Sequence, residues 1–472
     1  MPGIDLELDH TDASMLSALL KVWQDKRQRN AIRTVYFDGK AALKDFGISL
    51  PPSMRSIEAA LGWTAKGVHA VTDRSKFEGF VDSTGSDDPF GLEQIMWDNR
   101  FRVEFPAAEV SSAVHGCSFL SVSHGDVQSG EADVLVLARS AESSAAIWDR
   151  RRRTLAGFLS IVALDESKNP SEIIMYTPDK VITLTKTGTR WIVDVRRNPL
   201  RRVSVAPLVH KFELGRPLGH SRITRASMYF TDAALRTIVR GEVSSEFYSA
   251  VEYWLFGADV SDFVGDDRWT AVMGRIKAMD TDSNESADKP DLHRFNGASP
   301  EPHISQMRMW ANLFADDQDL DVKFADTSNP SSADAIFAAK ETLITTTRDA
   351  NELWGHGAVE SAQMAVMLRD GLDVVPGEMR ALRAQFTDPA IVSPTARADA
   401  YSKLSAADAD FATSRVGRQY AGLSLEQITQ LEAEQKRKSA SDRIAQLVEA
   451  ARGARQAVAS QPASQPASQP VI

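Results

Sequence analysis

The chain has one cysteine, Cys117, in 472 residues. A single thiol excludes an intramolecular disulfide and any zinc site built on paired cysteines. It lies in the apolar string VHGCSFLSV, where a buried, inert thiol is expected. Long apolar runs are lacking too: nothing approaches the roughly 18 residues that crossing a bilayer requires, so no membrane partner is expected. The opening MPGIDLELDHTD is acidic and has no basic-then-apolar leader pattern, which predicts synthesis in a cytoplasm. His115, His210, His220, His293, His303 and His356 are each isolated, so no metal-ligand spacing and no metal or cofactor site is read. The nucleotide and hydrolase signatures GxxxxGK(S/T), HExxH and GxSxG are missing. Any ATP-driven work on DNA would therefore come from a partner. Positive charge is short as well. A net charge of −10 argues against coating nucleic acid by bulk attraction.

What is present points to an α+β protein of two to four domains, with 43% hydrophobic and 25% charged residues. Met15, Leu19, Val22 and Trp23 stripe a helix over 13–30, and Ile57, Leu61, Val68 and Val71 a second over 53–74. A short helix over 91–101 carries Trp97 and Asn99, and another over 105–115 leads into the GCSFLSV strand. Over 133–205 the period changes to two, with strands expected at 134–137, 155–164, 173–176, 181–185 and 191–195 in an antiparallel sheet. The four-arginine run 150–153 reads as a solvated turn or subunit-interface patch, with a DNA contact as the alternative. His115 and Cys117, two apart in an expected strand, would share a face. As base and nucleophile they are the seed of a second reading, an α+β hydrolase with a helical C-terminal extension.

The richest stretch is 207–257. After the turn string GRPLG, the positions Met228, Leu235, Val239, Val243, Phe247, Val251 and Trp254 keep one helical face, predicting a rod of roughly 45 Å. Ile304, Met307, Trp310 and Leu313 mark a second helix over 301–316. SSAD at 331–334 and Ser424 with Gln427 are capping-box starts for later helices. The closing ASQPASQPASQP carries no bulky apolar side chain and is expected to be disordered.

The wording RPLGHSRI, then Asp232, then SSEF, resembles the portal proteins of tailed double-stranded DNA bacteriophages of the siphophage type. Three further blocks in the same order are similar to that family: NPSSADAIFAAKETLI, SPTARADAYSKL and RQYAGLSLEQITQLEAEQKR. The resemblance implies a portal-like fold: an α/β wing (1–221), stem helices (222–257 and 301–316) and a small clip hairpin region (258–300). It also implies a tunnel loop (317–331), a long wing helix (332–374), crown helices (375–455) and a disordered tail (456–472). It implies no enzyme and no cofactor, but a dodecameric ring at one capsid vertex of the virion, made in a bacterial host. Double-stranded DNA would pass through the channel during packaging and ejection. Terminase large subunit, head–tail adaptors, and major capsid and scaffold proteins would be the partners. By position in that resemblance, Asp319, Asp321 and Lys323 face the DNA channel. Arg236 and Arg240, four apart on the first stem helix, share a face and are expected in intersubunit ion pairs.

Overall fold

The computed structural model describes residues 8–40, 60–82, 88–188, 190–248, 252–256, 276–279, 291–295, 299–320, 333–390 and 394–459. The chain divides into a large unit, Met1–Pro389, and a small one, Ala390–Ile472.

The large unit is mixed helix and sheet around two layered cores. In the first, a three-stranded antiparallel sheet has β2 (Cys117–His124) between β3 (Val134–Ser140) and β9 (Val205–Val209). Helices α4 (Phe101–His115) and α7 (Ala333–Asp370) pack against it. β2 is buried along its first six residues, so it reads as a continuous apolar run instead of an alternating one. Trp354 of α7 is fully buried and donates its indole N–H to Ser112 Oγ at 3.1 Å, and Ser112 donates to the Leu208 carbonyl at 2.9 Å. These bonds satisfy the polar atoms that helix and sheet bring inside. At Gly357 an added Cβ would lie 2.5 Å from the Pro207 carbonyl oxygen, so only glycine lets α7 seat this closely on β9. The edge of this core is closed by β1 (Phe77–Val81), antiparallel to β13 (Arg383–Phe386).

The second core is a five-stranded antiparallel meander: β4 (Ser144–Asp149), β5 (Thr154–Leu164), β6 (Pro170–Tyr176), β7 (Lys180–Thr187) and β8 (Arg190–Arg197). Four of the five strands expected over 133–205 lie in it as β5 to β8; the expected 134–137 strand is instead β3 of the other sheet, paired with β2, and β4 is a strand the sequence pattern did not single out. Leu159, Ile173, Met175, Ile182 and Leu184 alternate onto one face. Leu16, Leu19 and Trp23 of α1 (His10–Phe37) cover that face, an amphipathic helix on a sheet. Arg150 to Arg153 form the exposed β4–β5 turn, where Asp149 Oδ1 accepts from the Arg151 and Arg152 amides. The arginine run is thus a turn, with all four residues exposed in the single chain.

Two local expectations are corrected. The 91–101 helix is two elements: α3 (Leu92–Asp98), then a break at Arg100 with φ +49°, from which α4 starts. Asn99 falls in the break and is buried, donating to the Val134 carbonyl at 2.8 Å and accepting from the Val136 amide at 2.7 Å. The pairing at the break outweighs one unbroken apolar helix. The stem helix expected to run through Trp254 ends at Tyr248, as α5 (Arg225–Tyr248). Glu252–Phe256 is strand β10, flanked by β11 (Ile276–Met279), which is parallel to it, and β12 (Asp291–Phe295), which is antiparallel. A run rich in aromatics fits a strand, and short apolar runs do not distinguish the two states. Two strands of this mixed sheet, β11 and β12, fall in the expected clip region 258–300, and the third, β10, falls in the span expected as stem helix. Of the 53–74 helix, α2 (Trp63–Thr72) is formed, residues 60–62 with Leu61 precede it outside any helix, and 53–59 lie outside the described residues.

The small unit is helical: α8 (Pro394–Ala407), α9 (Ala409–Thr413), α10 (Arg415–Tyr420) and α11 (Leu425–Ala459). The capping box at its longest helix is formed, with the Ser424 amide donating to Gln427 Oε1 at 3.0 Å and the Gln427 amide to Ser424 Oγ at 3.2 Å. The ASQP tail lies outside the described residues.

Candidate functional site at the base of the two-helix arm

α5 and α6 (Glu301–Asp317) run antiparallel: Thr224 meets Asp317, Thr237 meets Gln306, and Gly241 lies against His303. Between their far ends the chain carries β10, β11 and β12. The pair makes an arm about 36 Å long at the 1.5 Å rise of a helix over 24 residues. Tyr229, Phe230 and Trp310 pack ring against ring across it, with centroids 6.1 and 6.4 Å from Trp310. Gly241 leaves room for the His303 side chain, whose Cβ would be 3.6 Å from an added methyl.

The arm is fastened at its base by Arg222, which is 2% exposed. Its Nε donates to the Gly67 carbonyl of α2 at 2.7 Å, its Nη2 to the Gln318 carbonyl, and its Nη1 lies 3.9 Å from Asp319 Oδ2. Gln318 Nε2 returns a bond to the Arg222 carbonyl at 3.1 Å and another to Asp317 Oδ2 at 2.7 Å. Thr224 Oγ1 donates to Asp317 Oδ2 at 3.0 Å. Burial pulls the guanidinium pKa down, while Asp319 and Asp317 oppose that shift. One buried cation therefore ties the start of α5, the end of α6 and α2 into one joint. A second fastening is Tyr36, the buried tyrosine of α1, whose hydroxyl donates to Asp232 at 2.8 Å. Burial first, then the Asp232 hydrogen bond and charge, raise its pKa, while Arg236 pulls it down. At Gly67 an added Cβ would sit 2.7 Å from Gln318 Oε1. Gly67→Ala is expected to cost about 1–2 kcal/mol by overpacking, despite alanine's better helix propensity, as read in a urea melt. A stability gain would show that Gln318 does not hold its place.

The sequence-chosen residues fall as follows. Asp319, at φ +52°, accepts from Thr346 Oγ1 at 3.2 Å and faces Arg222, with its side chain 23% exposed. Asp321 and Lys323 lie outside the described residues. Arg236 is half-buried near Tyr36, and Arg240, one turn on, is exposed. Arg222 and Gln318 were not singled out from the sequence. Arg222 does stand inside the RPLGHSRI block, where an arginine between turn formers and a helix start was the available signal.

The hydrolase reading finds no support. His115 is the last residue of α4 and not a strand neighbour of Cys117, because Gly116 at φ +105° ends the helix between them. Burial pushes the Cys117 thiol up to about 12 and the His115 imidazole down to about 4. A thiol so protonated is a poor nucleophile. Among the described residues there is no group of three or more acidic, His or Cys side chains suited to a metal, and no helix long and apolar enough to cross a membrane.

Comparison with known proteins finds relatives among the portal proteins of bacteriophages. The portal protein of Mycobacterium phage L5 is 25% identical over 418 residues, 86% of this chain and 84% of the relative. That of Mycobacterium phage D29 is 24% identical over 399 residues, 82% and 81% respectively. The family model described as Phage portal protein, SPP1 Gp6-like, matches residues 80–439, a span that takes in both arm helices, Arg222, Gln318 and most of the helical unit. With that match over most of its length, the chain belongs to the phage portal protein family and has that family's structural role.

Proposed function

We propose that the chain is the subunit of a ring at one capsid vertex, with α5 and α6 as the stem that walls a channel for double-stranded DNA. On this reading β10–β12 are the clip that meets terminase and later the head–tail adaptor, and residues 317–331 are the tunnel loop. The meander and the two-core body are the wing, the helices after β13 the crown, and twelve copies the ring. Asp319, held by Arg222 and Thr346, anchors the near end of the tunnel loop, and Asp321 and Lys323 face the DNA. The stem needs no chemistry of its own. It positions a wall of net negative subunits along which DNA slides, while a partner ATPase supplies the work.

The observation that carries the reading is the arm itself. Its helices pack chiefly on each other, yet Tyr229 is 54% exposed, and Ile304, Met309 and Leu313 are exposed as well. Apolar side chains on the flanks of a paired rod are what neighbouring copies would cover. Native mass spectrometry and negative-stain imaging test it. Rings with an axial hole are expected, and Tyr229→Asp with Leu313→Asp is expected to shift the mass to monomer at micromolar protein while leaving the circular dichroism spectrum intact. A chain that stays monomeric or dimeric even with capsid and scaffold proteins present sinks the proposal.

A further inference from the structure

A cleft of about 460 Å³ opens on the large unit, lined in part by the loop that leads into Arg222. Four segments line it: one face of α1 (Val22, Lys26, Arg29, Arg33), the α4–β2 junction, the start of β4 and the 216–220 loop. The α1 residues recur at helical spacing, so their cations stand in one row. Among the described residues Lys26, Arg29 and Arg33 make no ion pair. Arg33 spends one N–H on the His115 carbonyl at 2.8 Å, and the Arg29 charge beside it, after burial, holds its pKa down to about 10. Arg216 leans on His220 Nδ1 at 3.1 Å. The acids near this row are Glu142, 42% exposed and 3.9 Å from His115, and Glu213, 60% exposed and paired with His220. Unbalanced cations of like charge in one row are costly in a chain of net charge −10.

A second feature points to a ligand. The His115 side chain is 5% exposed and lines the cleft, and its Nδ1 has no hydrogen-bond partner. Buried polar atoms without partners are rare, because each costs roughly 1–3 kcal/mol. Polar and apolar groups share the rest of the lining, Asn30 and Ser144 beside Val22, Phe119, Leu218, Ala145 and Ala146. Phosphate backbone would gain nothing from such a floor. A carboxylate borne next to aliphatic side chains would use both halves.

The sequence holds such a segment, Ile4-Asp5-Leu6-Glu7-Leu8, which alternates aliphatic and acidic residues. It cannot serve its own copy. Asp5 is five residues before the start of α1 and reaches about 17 Å when extended, whereas Lys26 to Arg33 lie roughly 24–35 Å along the helix. We infer that residues 4–7 of a second copy dock in this cleft, with Asp5 and Glu7 on the α1 cations and Ile4 and Leu6 on the apolar part of the lining beside His115. Copies joined this way are latched through a site other than the flanks of the arm.

The test uses the full chain carrying Asp5→Lys and Glu7→Lys, so that its own segment does not compete. A labelled decapeptide of residues 1–10 is titrated onto it by fluorescence anisotropy. Saturable binding is expected. Lys26→Glu with Arg29→Glu, both on exposed positions of α1, is expected to weaken it at least tenfold with unchanged circular dichroism. The peptide carrying the two lysines is expected not to bind. Absence of binding overturns the latch, as does binding unmoved by the α1 reversals. Displacement of the peptide by a short DNA duplex at lower concentration would assign the cleft to phosphates and also overturn it. The inference presumes self-association, and solution mass is read on the same samples. Rings without peptide binding refute the latch alone. Peptide binding to a chain that never assembles supports the cleft and counts against the ring.

Discussion

Arg222→Met is expected to cost about 3–5 kcal/mol in a urea melt, the usual consequence of removing one partner from a buried charged network. The loss has three sources. The Gly67 and Gln318 carbonyls lose their donors, and the Asp319 carboxylate loses its counter-charge. Methionine fills much of the volume, so cavity formation adds little. Arg222→Lys is expected to fall between the two, since one ammonium cannot serve α2 and α6 together. Limited proteolysis separates a joint from mere core packing. New cleavage near Thr224 or Gln318, ahead of cleavage in the meander, is the expected pattern. A methionine variant within 1 kcal/mol of the parent, with unchanged proteolysis, would remove Arg222 from its place as the fastening of the arm.

The second large effect is a pH dependence centred on Glu109. This residue of α4 is fully buried; Ser75 donates to its Oε1 at 2.7 Å and its Oε2 has no partner. Desolvation raises its pKa to about 8, against the smaller downward pulls of the Ser75 hydrogen bond and the Lys76 charge. The folded chain therefore holds this proton where the unfolded chain has released it. Stability is unaffected by Glu109 below the ordinary carboxyl range, falls as pH rises through it, and levels off above about 8. At about 1.4 kcal/mol per unit the total loss is roughly 5 kcal/mol. Glu109→Gln is expected to be close to neutral at pH 4 and more stable than the parent by several kcal/mol at pH 8.5. Urea melts across that range check it; parallel curves for the two proteins would show that Glu109 ionises freely in the fold.

Much of the body was legible because its cores obey simple periods. Ile173, Met175, Ile182 and Leu184 alternate, and Leu16 and Leu19 answer them from α1. The arm was legible as two helices but not in where its first helix stops. Val251 and Trp254, four and three residues on, continue the helical stripe, and only pairing with distant strands, which a local pattern does not contain, makes Glu252–Phe256 a strand. β4 was missed because SAAIWD is short and weakly alternating. The joint was the least legible part. A buried arginine looks like any arginine until Gly67, Gln318 and Asp319 are brought to it from positions about 100 residues or more away. The cleft shows the same thing: its α1 face was readable as amphipathic, but His115 enters it only because Gly116 turns the chain there.

The arm also has a mechanical aspect. A rod of about 36 Å pivoting on a joint the size of one guanidinium is a lever with a long outer limb. A swing of about 5° at Arg222 carries the β10–β12 end through roughly 3 Å, the scale of a hydrogen bond made or broken. Read in the other direction, a load on the outer end arrives at the Gly67, Gln318 and Asp319 contacts with its displacement divided by about ten. A stiff, dry fulcrum is then a requirement of the design, and a guanidinium that holds α2 and the end of α6 to the start of α5 supplies one.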